Sequence, residues 1–380
     1  MNILILNWRD IKNPSSGGAE ILTHEIAKRW VKLGNQVTLF SSSFPNSKKE
    51  EVIDGVKFVR EGHPDARFLF SSVHFLAFKF YRSNVQKFDV VVDEIHGLPF
   101  FTPWYVKGKK VVLICEVAGD LWVKMFGPFF GLLGRVIERI YLQFVYKNIS
   151  YLTISNSTKE ELIKEGVNGK DITVLPMGLT IPQNFKRVEK EKDPTLIFVG
   201  RLSKSKGIED AIEALRQASK TYTKTKLWIV GEGDETYIKF LKNKAKNLDV
   251  SDRVTFWGYV SEEKKFELMG RAHILLAPSL KEGWGLIVSE AARVETPSIV
   301  YDVPGLRDSV INDKTGVILS YNSSLEMAKQ ATLLLRDEER YKYFQQNALA
   351  WAKSLTWDKA AKQSLKLIEI IGTTKKKYGK

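Results

Sequence analysis

The feature that most constrains this chain is a unit that occurs twice: an apolar strand, a short loop, an amphipathic helix and a second apolar strand. Near the start, Met1 to Asn7 reads as a buried strand and NPSSGGAE as a loop. ILTHEIAKRWVKLG follows as a helix stopped at Gly34, and Gln36 to Phe40 is the next strand. After Pro194 the plan returns as strand TLIFVG, loop RLSKSKG, helix IEDAIEALRQASK and strand KLWIVGEG. Such strand–helix–strand connections require a parallel sheet with helices on its faces. At 380 residues the chain is long enough for two domains of this kind. The polar, proline-bounded stretch Ile181 to Pro194 is where a hinge between them is expected. The expected division is a first domain over 1–182, a linker over 183–193 and a second domain over 194–355. A C-terminal helix over 356–380 then packs back on the first domain and ends in the basic tail Lys375 to Lys380.

Cys115 is the only cysteine, which excludes an intramolecular disulfide and a cysteine-rich metal site. MNILILNWRD has neither the basic start nor the cleavage site of a signal peptide, so a cytoplasmic protein is expected. The formal charge of +14 favours polyanionic partners: nucleic acid, an anionic membrane surface or phosphorylated small molecules.

Ligands of open parallel sheets collect beyond the carboxyl ends of the strands, so the loops there are where chemistry is expected. One of them, KEGWGLIVSE (Lys281 to Glu290), holds two carboxylates eight positions apart around a glycine-flanked tryptophan. A helix starting near Gly285 would aim the free amides of Gly285, Leu286 and Ile287, and the positive end of its dipole, at an anion. Glu290, about one and a half turns into that helix, would reach hydroxyls attached to the anion, and Glu282 would reach hydroxyls on the other side. Phosphates in that position need cations. The loop GRLSKSKG, Gly200 to Gly207, supplies Arg201 and Lys206 at the end of a strand.

GRLSKSKG followed by PSLKEGWGLIVSEA resembles the donor-site signature of retaining glycosyltransferases of the GT-B fold, specifically family 4, the glycosyl transferases group 1. Gly17-Gly18-Ala19-Glu20, VPGLRDSV and TGVIL fall in the same order as in that family. The resemblance implies an α/β GT-B architecture of two Rossmann-like β/α/β domains facing across a cleft. It implies transfer of a hexose, with retention, from a nucleoside diphosphate sugar to a glycan or lipid-linked acceptor in glycoconjugate, cell-surface polysaccharide or N-glycan synthesis. In that picture Arg201 and Lys206 neutralise the donor diphosphate, Glu282 holds hydroxyls of the transferred sugar and Glu290 binds the ribose. Gly200 opens the basic loop, the amides of Gly285, Leu286 and Ile287 take phosphate oxygens, and Gly17 and Gly18 let the backbone approach the sugar phosphate. The donor is a substrate, and neither cofactor nor metal is expected. Where many relatives place a histidine this chain has Cys115, leaving His96, Glu116 and Asp120 as acceptor-side candidates. Trp284 replaces the more usual phenylalanine, and Pro304 stands where glycine is common.

Gly231-Glu232-Gly233 lacks the last glycine of a dinucleotide fingerprint and no Walker A motif occurs, which disfavours a dehydrogenase or a P-loop enzyme. The absence of any Asp-x-Asp pair argues against a metal-dependent transferase. Two alternatives stay open: a nucleotide-sugar epimerase or hydrolase of the same fold, and a basic nucleic-acid-binding protein. Leu121 to Asn148 and Arg67 to Arg82 combine aromatic and basic residues, with too many charges for a spanning helix. They either lie at a membrane interface, making the protein peripheral at the inner face of the cell membrane, or pack on the first sheet.

Overall fold

Apolar runs such as NILIL and TLIFV become strands where helices cover both faces of a sheet, and the computed structural model, which describes residues 1–183 and 185–373, contains two such sheets. The basic tail from Lys375 lies outside the described residues. In the first unit the order along the chain is β1 (Asn2–Leu6), α1 (Gly18–Lys32), β2 (Gln36–Ser41), β3 (Glu50–Ile53), β4 (Val56–Arg60), α2 (Val73–Ser83), β5 (Val90–Ile95), α3 (Thr102–Tyr105), β6 (Lys109–Ile114), α4 (Leu121–Ile140), β7 (Ser150–Thr153), α5 (Asn156–Lys164) and β8 (Ile172–Val174). These strands lie in the order β3-β4-β2-β1-β5-β6-β7-β8 and are parallel, except that β3 turns back antiparallel on β4.

The second unit runs β9 (Thr195–Val199), α6 (Ile208–Ala218), β10 (Lys226–Val230), α7 (Glu235–Asn247), β11 (Val254–Gly258), α8 (Glu262–Arg271), β12 (Ile274–Ala277), α9 (Leu286–Arg293), β13 (Ser298–Val300), β14 (Gly316–Ile318), α10 (Ser324–Arg336) and α11 (Glu338–Ser354). Its sheet is parallel throughout, in the order β11-β10-β9-β12-β13-β14. α12 (Trp357–Thr373) then packs on α1 of the first unit. There Trp30 Nε1 donates to the Ala361 carbonyl at 3.1 Å and the Ser364 hydroxyl at 3.2 Å.

The units divide at Gly178/Leu179 and again at Leu355/Thr356. The stretch 183–193, expected as a linker, is bonded to the second unit. Arg187 pairs with Glu295 at 2.6 Å, Lys190 Nζ reaches the Ala272 carbonyl and Thr296 Oγ1 at 2.7 Å each, and Glu191 pairs with Arg271 at 2.5 Å. Ile181 and Phe185 pack against the second core, so apolar residues scattered through a polar-looking segment decide where it belongs.

Each sheet reverses its direction of growth once. From β1 the chain adds strands on one side and then returns to add β5 on the other, and β9 and β12 do the same in the second sheet. Ligand crevices of open α/β sheets form outside the carboxyl ends of strands at such a reversal.

Candidate active site

In the second unit the reversal brings together the loops that follow β9 and β12. Gly200 to Gly207 leaves β9 through a short turn, and the Leu280 amide donates to the Ser205 carbonyl at 2.8 Å, joining the two loops. Lys206 Nζ lies 2.5 Å from Glu282 Oε1, which also accepts from Ser279 Oγ at 2.8 Å. Arg201 at the strand end is exposed and has no ion-pair partner among the described residues. Gly231 and Gly233 lie against the carbonyls of Gly200 and Leu202, where a β-carbon would come within 2.0 Å. That crowding, and not a dinucleotide, accounts for the Gly-x-Gly pattern.

The helix after the second loop begins where the sequence places it. Gly285 takes a φ of 87° as the N-cap of α9, a left-handed conformation that glycine adopts without a Cβ penalty. The amides of Gly285, Leu286 and Ile287 have no acceptor among the described residues, so the first turn presents them to an incoming anion. Trp284 is turned the other way. Its Nε1 donates to Ser289 Oγ at 3.0 Å and its ring stacks on Trp351, which fixes the loop from behind.

Glu290 is buried, and its Oε2 lies 2.9 Å from Lys265 Nζ. Burial pushes the Glu290 carboxyl up, opposed by Lys265. Burial also works against the Lys265 charge but is outweighed by Glu290 and Glu262, so Lys265 stays cationic. The carboxylate, paired with Lys265, keeps lone pairs that hydroxyl groups of a ligand can use. Lys265 carries no signal in the sequence, because the contact joins α8 to α9.

In the first unit the reversal lies between β1 and β5, and a polar cluster occupies it. Glu94 has a fully buried carboxylate that accepts from Asn7 Nδ2 at 2.7 Å and Thr23 Oγ1 at 2.7 Å and bonds His96 Nε2 at 2.9 Å. Burial pushes its pKa up, countered first by His96. His96 stacks on Trp8, and β5 pairs with β6 through Ile95 and Ile114, so His96 stands beside Cys115 at the sheet edge. The loop after His96 is held by Asp93, which accepts from Thr102 Oγ1 at 2.7 Å and from the Tyr146 hydroxyl. Cys115 is buried, and burial raises its thiol well above the usual range, away from thiolate chemistry. Glu116 is half-buried beside it, and Asp120 is exposed and paired with Arg135 at 2.5 Å.

Gly17 caps α1 and Gly18 opens it. The Gly17 amide donates to Glu20 Oε2 at 2.6 Å, while Arg9 sits 3.3 Å from Glu20 Oε1. The loop before them is anchored by Asp10, which accepts from Ser41 Oγ at 2.8 Å and from the buried Arg60 Nε at 2.6 Å. Asn7, Thr23 and Glu94 were not legible as site residues. Their one sequence signal is the acidic pair Asp93-Glu94 closing an otherwise apolar strand.

Comparison with known proteins covers most of the chain. Positions 181–351 match the family described as glycosyl transferases group 1, and positions 16–181 match glycosyltransferase family 4. Over 190 residues the chain is 33% identical to a glycogen synthase of Mycobacterium tuberculosis, covering 49% of this chain and 45% of that protein's length, so it spans about half of that relative. Sucrose-phosphate synthase from Thermosynechococcus elongatus superposes with a TM-score of 0.81 at 19% identity, covering 97% of this chain and 98% of the other. HepE of Anabaena in complex with UDP-glucose gives 0.75 at 15% identity, covering 97% and 100%.

Proposed function

The chain belongs to the family 4 glycosyltransferases of the GT-B fold, and from that premise we propose that it moves a sugar from a nucleoside diphosphate sugar to a glycan or lipid-linked acceptor, with retention at the anomeric carbon and without a divalent metal. The observation that carries the reading is the convergence, at one sheet reversal, of Arg201, the Lys206–Glu282 pair, three unbonded helix amides and a buried Glu290 held by Lys265. The donor diphosphate replaces Glu282 as the partner of Lys206 and takes the amides of Gly285, Leu286 and Ile287, while Arg201 offers a planar fork to its oxygens. Glu290 receives the ribose hydroxyls, and Glu282, released from Lys206, receives hydroxyls of the sugar. The solved relative with UDP-glucose supports this class of donor.

Transfer breaks the bond from the anomeric carbon to the diphosphate oxygen and forms one to an acceptor oxygen on the same face. The departing phosphate takes the acceptor proton. Stabilising charge on that phosphate is then the main catalytic task, and Arg201, Lys206 and the helix amides supply it without a metal. The acceptor belongs to the first unit, where His96 is held by Glu94, with Glu116 and Asp120 nearby in the chain. The reaction suits a cytoplasmic enzyme of glycoconjugate synthesis.

A panel of nucleoside diphosphates and their sugars, read by thermal shift, identifies the donor because binding raises apparent stability. Transfer from the labelled donor should persist in EDTA, keep its anomeric configuration by NMR, and fall about 10²–10³-fold in Arg201→Ala. An inverted product, a requirement for Mg²⁺ or Mn²⁺, or an Arg201→Ala enzyme with unchanged kinetics would overturn the respective part of the proposal.

A further inference from the structure

α4 is not one straight helix. At Gly127 the backbone takes a φ of 77° and ψ of 175°, and Pro128 starts a second piece. A β-carbon on Gly131 would lie 2.3 Å from the Val123 Cα, and one on Gly134 would lie 2.7 Å from the Trp122 ring. Residues 121–126 therefore fold back on 128–140 as a helical hairpin, and the glycines at 131 and 134 are what permit the close approach. Its base is clamped by the buried Glu138, which accepts from the Ala118 amide at 2.9 Å, the Gly119 amide at 2.7 Å and Trp122 Nε1 at 3.1 Å. The hairpin is a fixed projection.

At its turn the side chains of Phe126, Phe129 and Phe130 are 53%, 77% and 67% exposed, and Leu133, Val136 and Phe144 continue the exposed apolar surface. Two runs of ring contacts lie in the same unit. Phe70 meets Phe75, Phe75 meets Phe78 and Phe78 meets Tyr105 of α3, while Phe101 stacks on Trp104 and touches Tyr141 at the foot of α4. Phe68, Leu69 and Phe70 are exposed on a second turn of the same unit. Exposed clusters of large apolar side chains such as these mark an interaction site.

Its charge says with what. Around the hairpin Arg135 is paired with Asp120, while Lys124 and Lys147 are exposed without an ion pair among the described residues and the carboxylate Glu138 faces inward. At the second turn Arg67 is paired with Asp65, while Lys79 and Arg82 are exposed without an ion pair among the described residues. No helix among the described residues is long and apolar enough to cross a membrane. A projecting aromatic turn with basic flanks is the composition of an element that enters the interfacial layer of a bilayer and is held there by anionic headgroups. A second copy of this chain would bring like charges face to face.

We propose that the Gly127 hairpin and the Phe68–Phe70 turn form a docking surface for an anionic lipid bilayer, with Phe126, Phe129 and Phe130 entering the interface. The inference rests on this surface alone, so vesicle binding and sugar transfer fail separately.

The test is flotation of the full chain with vesicles of phosphatidylcholine alone or mixed with phosphatidylglycerol, at low and high salt. Binding is expected only with the mixed vesicles and should weaken as salt screens the charges. The double variant Phe129→Ser/Phe130→Ser, whose side chains are exposed, should keep the wild-type melting temperature and bind about 10²-fold more weakly. Absence of binding to mixed vesicles at low salt, or undiminished binding by the variant, would overturn the proposal. So would light scattering that shows a dimer dispersed by the same double substitution, which would assign the surface to a second copy.

Discussion

Glu290 is held between burial, which favours its neutral form, and Lys265, which favours the charged one. Replacing Lys265 with Met leaves that carboxylate unpaired in a buried position, a loss of about 3–5 kcal/mol if the charge persists. The alternative is that Glu290 takes up a proton. Calorimetry of Lys265→Met against the nucleoside diphosphate should therefore show affinity that is poor at low pH and recovers as pH rises through the Glu290 titration, while the wild type stays flatter. Superimposable profiles would detach Lys265 from ligand binding. His273 carries a second pH signature. Its Nδ1 accepts the Thr195 amide at 3.1 Å, which only the neutral ring can do, and burial followed by Lys190 presses its pKa from 6.5 to about 4. A value depressed by folding contributes stability above the ordinary histidine range and loses it as pH falls through about 4. His273→Asn keeps an acceptor that does not titrate, so between pH 6.5 and 4 its melting temperature should decline less than that of the wild type. Equal declines would show that His273 does not govern this window. Arg201, Lys206, Glu282 and Glu290 were legible because they ride in two short contiguous motifs. Lys265 and Glu94 were not, because Lys265 meets Glu290 from a different helix and Glu94 takes its bonds from residues 71 and 87 positions away.

Among the elements, α12 carries the clearest energetic claim. Trp357, Ala360, Ala361, Leu365 and Ile368 are buried, and the Trp357 ring lies so close over Gly178 that a β-carbon there would come within 2.1 Å of it. Trp357→Ala opens a large cavity in the first unit and should cost about 3–5 kcal/mol. Calorimetric unfolding should show the first unit's transition moving down and the second unit's staying in place; a shift confined to the second transition would contradict the assignment of α12. The strands and helices that frame both sheets were legible because hydrophobic period is a local property. The Gly127 reversal in α4 and the attachment of 183–193 were not. The first depends on glycines meeting a neighbouring turn, and the second on a few apolar and charged residues finding partners about 80 to 108 positions away.

For the molecule as a whole, the two β-α-β units seen in the sequence determine that there are two parallel sheets, and each sheet's reversal determines where its site lies. Neither dictates that the chain should pass between its units twice, at Gly178/Leu179 and at Leu355/Thr356. That double passage has a consequence for synthesis. The helix that covers α1 and buries Trp30 is made only after all 177 residues of the second unit. At roughly 5–20 residues per second, the first sheet waits roughly 10–35 s on the ribosome with part of its apolar surface uncovered. The second unit, contiguous in the chain, is complete before the first, so the half of the protein that is translated earlier is the half that matures later, and chaperones that meet the nascent chain would find their binding surface on α1.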